Sequence, residues 1–327
     1  MGEIRAVVTG AGGFIGSRLV EQLTNDGHRV RALVHYGNDG GHGLLSDLPP
    51  ELQQSVEIVA GDLRDADWLR RSMAGIDVVF HLGALVGIPY SYRSPRDVVE
   101  TNVVGTLNVL EAARDGGVTR VVHTSTSEVY GSARTIPMSE QHVLSAQSPY
   151  AATKIAADQL ALSWHRSFGL PVSVVRPFNT YGPGQSARAI VPTVITQALA
   201  GGAVRLGSVT PTRDLNFVDD TVAAFMAVAR TDAAVGEVFN VGTGVETSVA
   251  TLVELVGRIL GRALVVETDS ERLRPVASEV DRLHADATKL RSVCGWAPAV
   301  AIEEGIERTI EWIRNNLDRF DPSRYAV

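Results

Sequence analysis

The chain has 327 residues, 45% of them hydrophobic, with 31 glycines and 14 prolines, enough to bury a large core in one big domain or two unequal ones. A net charge of -7 and a pI of about 5.6 exclude a general nucleic-acid-binding surface, so any phosphate must be met locally. The single cysteine, Cys294, permits no disulfide within the chain and has no Cys or His at metal spacing, so it reads as a packing residue and no metal is expected.

The N-terminal segment shows no signal-peptide pattern, and no run of about 18 apolar residues could span a bilayer. A cytoplasmic protein without a membrane partner is expected.

Ile4 to Val8 is a short β-branched run that predicts a buried strand, and Ile15, Leu19, Val20 and Leu23 recur at helical spacing after it. Between them Thr9 to Gly16 reads TGAGGFIG, which places Gly10, Gly13 and Gly16 at a strand-to-helix turn. There the missing side chains let backbone N–H groups and a helix N-terminus, including Phe14 and Ile15, approach a pyrophosphate. The alternative is a bare tight turn, which the strand-turn-helix setting disfavours.

A second strand, Arg29 to Val34, should end near a carboxylate that grips the adenosine ribose, but Val34, His35 and Tyr36 stand there. No Lys or Arg lies between Arg31 and Arg64, so this loop brings no permanent cation to a 2′-phosphate either. NAD is therefore expected, with NADP not excluded. Asp62, after the apolar run Val56–Ala60, is placed to cap the adenine side, and an ordinary loop Asp is the rival reading. Leu63, Leu82, Ala84 and Thr124, at the ends of successive strands, are counted with the same dinucleotide site.

Strands at Val56–Ala60, Val78–Leu82, Val121–Thr124 and Val172–Arg176 alternate with helices near 64–74, 95–115 and 149–168. That alternation predicts an α/β fold built on a doubly wound parallel sheet of about seven strands. Beyond Pro177 the order loosens, with Gly/Pro-rich turns at 182–184 and 201–212 and helices at 219–230, 248–261 and 302–316. The expected division is a dinucleotide-binding domain of residues 1–180, rejoined by 214–243, and a smaller substrate lobe of residues 181–213 and 244–327.

Ser125 to Glu128 follow the strand Val121–Thr124 at its carboxyl end, where ligands of open α/β sheets bind. Ser125 alone could be satisfying turn backbone. Ser148-Pro149 opens the next helix in the preferred way, and Tyr150 and Lys154, one turn apart, share a face. A tyrosine hydroxyl titrates near 10 in water, and a lysine cation beside it would favour the phenolate, making Tyr150 a usable base. A core aromatic beside a solvated lysine is the bland alternative.

With these residues in place the chain resembles the extended short-chain dehydrogenase/reductase family, in its nucleotide-sugar-modifying branch. TGAGGFIG, Asn102 in TNVVGT, Tyr150/Lys154, RPFNTYGP from Arg176 and TRDLNFVDD from Thr212 carry the likeness across nearly the whole length. The resemblance implies that Tyr150 is the catalytic base, Lys154 binds the nicotinamide ribose, and Thr126 hydrogen-bonds the sugar hydroxyl being oxidised. It also implies that Pro177 packs near the nicotinamide, Asn179 meets the nucleotide diphosphate, and Arg213 and Arg274 clamp its phosphates, for which a planar guanidinium is suited. A surface arginine is the rival reading for Arg274. Ser125 and Arg188 are counted with the substrate residues. A homodimer through the helices at 95–115 and 149–168 is implied as well, with Val98, Val99, Leu107, Leu110, Ala157, Leu160, Ala161 and Trp164 as its apolar stripes.

Several stretches, among them HLGALVGIPYSY from His81, TSTSEVYG from Thr124 and ERLRP from Glu271, look like bacterial 4,6-dehydratases of legionaminic-acid-type pathways. That likeness implies an N-acetylglucosamine nucleotide as substrate. The better-known glucose 4,6-dehydratases carry Asp-Glu where this chain has Ser127-Glu128, and hexuronate decarboxylases of the family also carry Ser-Glu. Glu128 as a base for the C5 proton favours dehydration; 4-epimerisation and decarboxylation stay open, as does a dinucleotide sensor without turnover.

Overall fold

The computed structural model describes residues 2–36, 41–272 and 279–321. Seven strands form the main sheet: β1 (Arg5–Thr9), β2 (Arg29–His35), β3 (Val56–Gly61), β4 (Val78–His81), β5 (Arg120–Thr124), β6 (Val172–Pro177) and, far along the chain, β10 (Val238–Val241). Their order is β10-β6-β5-β4-β1-β2-β3, and every pairing is parallel. The strand order reverses between β1 and β4, so the ligand crevice of such a sheet opens at the carboxyl ends of those two strands, beside Thr9 and Leu82.

Helices α1 (Phe14–Asn25), α2 (Pro50–Ser55), α3 (Ala66–Ser72), α4 (Ile88–Arg93), α5 (Pro95–Val99), α6 (Gly105–Asp115) and α7 (Pro149–Phe168) connect these strands. The alternation of side chains along β1 explains the layers: Ala6 and Val8 face the core under α1, whereas Val7 faces the core under α3, α6 and α7. Both faces are covered, which is why the strands read as continuous apolar runs. The helix expected over 95–115 is present with one π turn, Glu100–Val104, spliced between α5 and α6.

Past Pro177 come β7 (Asn179–Tyr181), α8 (Ile190–Ala200), β8 (Val204–Leu206), β9 (Thr212–Phe217) and α9 (Val218–Arg230), then β11 (Glu246–Ser248), α10 (Val249–Ile259), β12 (Val266–Thr268), α11 (Thr288–Cys294) and α12 (Ile302–Asn315). Strands β11-β9-β7 and β12-β8 make two small sheets. Val194, Ile195, Phe217, Leu252, Val256, Ile306 and Ile310 give this part its own core. α9 does not stay with it: Val222 and Phe225 pack under the main sheet, and so do Leu290 of α11 and the nearby Trp296. Cys294 packs against the same core and is half-buried. Among the described residues no helix is long and apolar enough to cross a membrane, and no group of three His, Cys, Asp or Glu could hold a metal ion.

Candidate active site

The glycine turn is built by close packing. Gly10 has φ +69°, and a Cβ there would lie 2.8 Å from the Gly83 backbone. A Cβ on Gly16 would overlap the Gly10 carbonyl, which fixes the helix tight against the strand. Gly13 is different: an added Cβ meets only Gly10 O, at 3.2 Å, and the space beyond is open. Gly13 is the N-cap of α1, with φ −84° and ψ 175°, and no side chain caps the helix. The first N–H groups of Phe14, Ile15 and Gly16 thus face the crevice at the positive end of a helix, the arrangement that receives a pyrophosphate.

Around this turn the structure gathers Leu63, Leu82 and Ala84: the Leu63 side chain reaches to within 2.8 Å of where a Cβ on Gly83 would sit. Asp62 is not left free at the ends of β2 and β3. Arg64 grips its carboxylate with contacts of 2.6, 3.0 and 3.1 Å, and His35 Nε2 lies 3.7 Å away. The Arg64 hydrogen bond leads in holding that carboxyl below its ordinary range. The expectation that this corner carries no cation stopped one residue short, because Arg64 folds back over it.

The chemical groups meet at the carboxyl end of β5. Thr126 caps the short turn Ser127–Tyr130, its Oγ1 accepting from Glu128 N at 3.2 Å, and the turn closes at Gly131 with φ +65°. Tyr150 and Lys154 arrive on α7, whose N-cap Ser148 accepts from Ala151 N at 3.1 Å. The Thr126 hydroxyl and the Glu128 carboxylate both lie close enough to the Tyr150 hydroxyl to bear on it. Lys154 donates its ammonium to the Thr124 carbonyl.

The electrostatics depart from the sequence reading. Burial pushes the Tyr150 phenol well above its ordinary range, Glu128 pushes the same way, and the nearby Thr126 hydroxyl offsets only part. Lys154 is directed at a carbonyl, and burial pulls it down to about 8 against the pull of Asp158. The cation expected to activate the phenol is itself desolvated, and burial wins in both groups.

Ser125 turns inward, donating to Asp158 Oδ2 at 2.8 Å. Asp158, one helical turn after Lys154, was not anticipated; it anchors a buried network beside the Ser127–Tyr130 turn. Arg176 holds it at 2.9–3.0 Å and gives another N–H to the Tyr130 hydroxyl at 2.9 Å, which donates to Asn240 Oδ1 at 2.7 Å. Burial raises the Asp158 carboxyl, but His123 and Arg176 outweigh it and the net shift is downward. The only trace of this network in the sequence is the i, i+4 spacing of Lys154 and Asp158.

On the lobe side Arg213 is largely buried, donating to Thr212 O at 2.9 Å and pairing with Glu279 at 3.4 Å. Arg188 is exposed and contacts Ser186 Oγ at 3.3 Å. Pro177 ends β6 in the sheet, and Asn179 begins β7. Two buried oxygens at strand ends, Thr124 Oγ1 and Asn179 Oδ1, have no hydrogen-bond partner among the described residues. Buried polar atoms are seldom left so, and both fit a polar ligand in the crevice. Arg274 lies outside the described residues.

An open α/β sheet with an uncapped glycine turn at its switch point and a Thr/Tyr/Lys cluster two strands away defines a dinucleotide-dependent enzyme of the short-chain dehydrogenase/reductase type. The model of the GDP-mannose 4,6 dehydratase family matches residues 7–309, and the chain belongs to that family of extended short-chain nucleotide-sugar enzymes. A UDP-glucose 4-epimerase of Mycolicibacterium smegmatis is 39% identical, over 95% of this chain and 99% of that one. A UDP-N-acetyl-alpha-D-glucosaminuronate decarboxylase of Bacillus cytotoxicus is 33% identical, over 95% and 98%. The solved structure of DesIV, a dTDP-glucose 4,6-dehydratase of Streptomyces venezuelae with NAD and TYD bound, superposes with a TM-score of 0.87 at 32% identity, over 98% of this chain and 100% of that one. Relatives of this chain thus dehydrate, epimerise and decarboxylate nucleotide sugars.

Proposed function

We propose that the chain is an NAD-dependent nucleotide-sugar 4,6-dehydratase acting on an N-acetylglucosamine nucleotide. The observation that carries the reaction is Glu128, a carboxylate presented by the same turn as Thr126 and felt by the Tyr150 hydroxyl. NAD, held at the glycine turn and beside Tyr150 and Lys154, would supply the hydride acceptor for C4 of the sugar and the hydride donor for C6. Thr126 orients the C4 hydroxyl, and Tyr150 accepts its proton once the positive charge of an oxidised nicotinamide beside the Lys154 ammonium offsets the burial that keeps the phenol protonated, leaving a ketone that acidifies the C5 hydrogen. Glu128 removes that C5 proton as the C6 hydroxyl departs, the two leaving as one water, and the proton taken up from O4 balances the one that C5 regains when hydride returns to C6. Ser127 supplies a hydrogen bond to the leaving hydroxyl, directly or through a water, where glucose 4,6-dehydratases use an acid. The preference for N-acetylglucosamine rests on the sequence likeness alone.

The uncapped start of α1 and the unpartnered Thr124 Oγ1 support a dinucleotide held by Gly10, Gly13, Phe14, Ile15, Gly16, Leu63, Leu82, Ala84, Thr124, Tyr150, Lys154 and Pro177. NAD is preferred over NADP because Arg64, the cation at the ends of β2 and β3, is engaged by Asp62. Asn179, at the edge of the dinucleotide domain, and Arg188, Arg213 and Arg274, of a lobe of residues 181–213 and 244–327, are assigned to the nucleotide sugar. A homodimer through α5–α6 and α7 is also inferred. Val98, Leu110, Ala157 and Ala161 are consumed in the chain's own core, leaving Val99, Leu107, Leu160 and Trp164 at least partly exposed for that contact.

A second reading, 4-epimerisation, is favoured by Ser127, which stands where a dehydratase acid would and is only 3% exposed. Mass spectrometry of products from UDP- and GDP-linked N-acetylglucosamine and from UDP-glucuronate separates the readings. Loss of water is expected; unchanged mass with inverted C4, or loss of carbon dioxide, replaces dehydration by epimerisation or decarboxylation. Full turnover in Glu128→Gln would remove Glu128 from the mechanism.

A further inference from the structure

One buried titratable group has no part in the chemistry above. His81, at the end of β4, is flanked by two threonines: Thr9 Oγ1 at 2.8 Å from Nδ1 and Thr106 Oγ1 at 3.0 Å from Nε2. The directions of these bonds follow from counting protons. Thr106 has one O–H, and it goes to the Asn102 carbonyl at 2.6 Å, so toward His81 Thr106 can only accept. The Nε2 nitrogen therefore carries a proton. Nδ1 then accepts the Thr9 O–H, while Thr9 Oγ1 accepts Gly83 N–H at 2.9 Å.

The circuit continues through the π turn. Asn102 closes on Leu85 like a strand partner, Leu85 N donating to Oδ1 at 2.7 Å and Nδ2 donating to Leu85 O at 3.0 Å. Its second amide proton goes to Thr153 Oγ1 at 3.0 Å, and the Thr153 hydroxyl is spent on the Tyr150 carbonyl at 2.7 Å. Every donor from Gly83 to Thr153 thus has one acceptor. Thr9, His81, Asn102, Thr106 and Thr153 are all buried, so water does not compete for these bonds.

We propose that His81, held as the neutral Nε2–H tautomer, is a positioning residue that ties the glycine turn to the first turn of the catalytic helix. One end of the circuit is Thr9 and Gly83, the backbone against which Gly10 packs; the other is the residue that bears the phenol. An imidazolium would put a second proton against Thr9, whose oxygen would then accept from both Nδ1 and Gly83 N–H, leaving the buried Thr9 O–H without its acceptor. The charged neighbours act against that proton: burial holds His81 well below its usual range, with His123 on β5 and Lys154 on α7 adding to it.

The proposal rests on the dinucleotide reading for its functional end but not for its tautomer. In full-length protein with 15N-labelled histidine, the His81 ring, assigned by its absence from His81→Gln, should show the Nε2–H pattern and no titration between about pH 5 and 8. Calorimetric titration with NAD should be weakened about three- to thirtyfold by Thr153→Val, which lies at the far end of the circuit from the glycine turn. Thr153→Ser, which keeps the hydroxyl, should recover the wild-type affinity. An Nδ1–H or titrating His81, or unchanged NAD affinity in a folded Thr153→Val, overturns the proposal. Failure of the wild type to bind NAD sinks the dinucleotide reading instead, and the ring spectrum still decides the tautomer.

Discussion

Two helices aim their N-termini at the carboxyl edge of the sheet, and they begin in opposite ways. α1 starts at Gly13 with nothing on its first N–H groups, whereas α7 starts at Ser148, whose hydroxyl accepts from Ala151 N, with Pro149 at the first helical position. A Ser, Asp or Asn N-cap is worth only a few tenths of a kcal/mol over the glycine that α1 has. What α1 keeps is a set of unspent donors at the positive end of a helix, and an anion can use both. α7 satisfies itself, so its first two turns serve to hold Tyr150 and Lys154 on one buried face. A single residue at the cap separates a helix with unspent donors from one that has spent them.

The sharpest way to break this comparison is at the positioning helix. Tyr150→Phe keeps the ring and its packing but removes the proton acceptor, and turnover should fall about 10²–10⁴-fold in steady-state kinetics, far more than any loss of NAD affinity that calorimetry reads. An active Tyr150→Phe would move the base elsewhere.

Lys154 gives a pH test with a definite sign. Its folded-state value, about 8, lies below the ordinary 10.5. For a cation depressed by burial, the cost of carrying the charge is present in full below about pH 8 and is relieved as pH rises toward the unfolded value. Between about pH 8 and 10 this group should add about 2 kcal/mol of stability, and denaturant unfolding of Lys154→Met should lack that rise. Parallel curves for the two proteins would show that the ammonium is not desolvated.

The binding helix can be converted into a self-satisfied one. Gly13 has extended backbone that an Asp can adopt, with Gly10 O 3.2 Å from the new Cβ as the tight spot. Gly13→Asp should weaken NAD at least about tenfold, by charge and by spending the N–H groups, while changing stability by no more than about 1 kcal/mol. Unchanged affinity would mean that the pyrophosphate does not sit on α1. The smallest effect is expected from the reciprocal change: Ser148→Ala should cost about 1 kcal/mol in unfolding experiments and leave NAD affinity unaltered.

Legibility in the sequence followed the range of the interactions. β1, β2, β4, β5 and β6 could be read because strands covered on both faces need unbroken β-branched runs, and the turn Gly10–Gly16 could be read because only glycine tolerates its contacts. α8 escaped notice: seven of its residues, Val191 to Ala198 with Thr193 aside, are buried, so its apolar side chains show no helical stripe. β7, β8, β11 and β12 have 3 residues each, too few for a period of two to register.

What the residues by themselves determined is therefore the dinucleotide turn, the Thr126/Glu128/Tyr150/Lys154 set and the parallel sheet beneath them, since each rests on local spacing or on a backbone demand that few residue types meet. Which protons those groups carry was decided by the tertiary structure. Burial sends the Tyr150 phenol up and the Lys154 ammonium down, Arg64 closes on Asp62, and Asp158 finds Arg176 eighteen residues away. Desolvation and charge pairing depend on what surrounds a side chain in space, and spacing along the chain does not specify that.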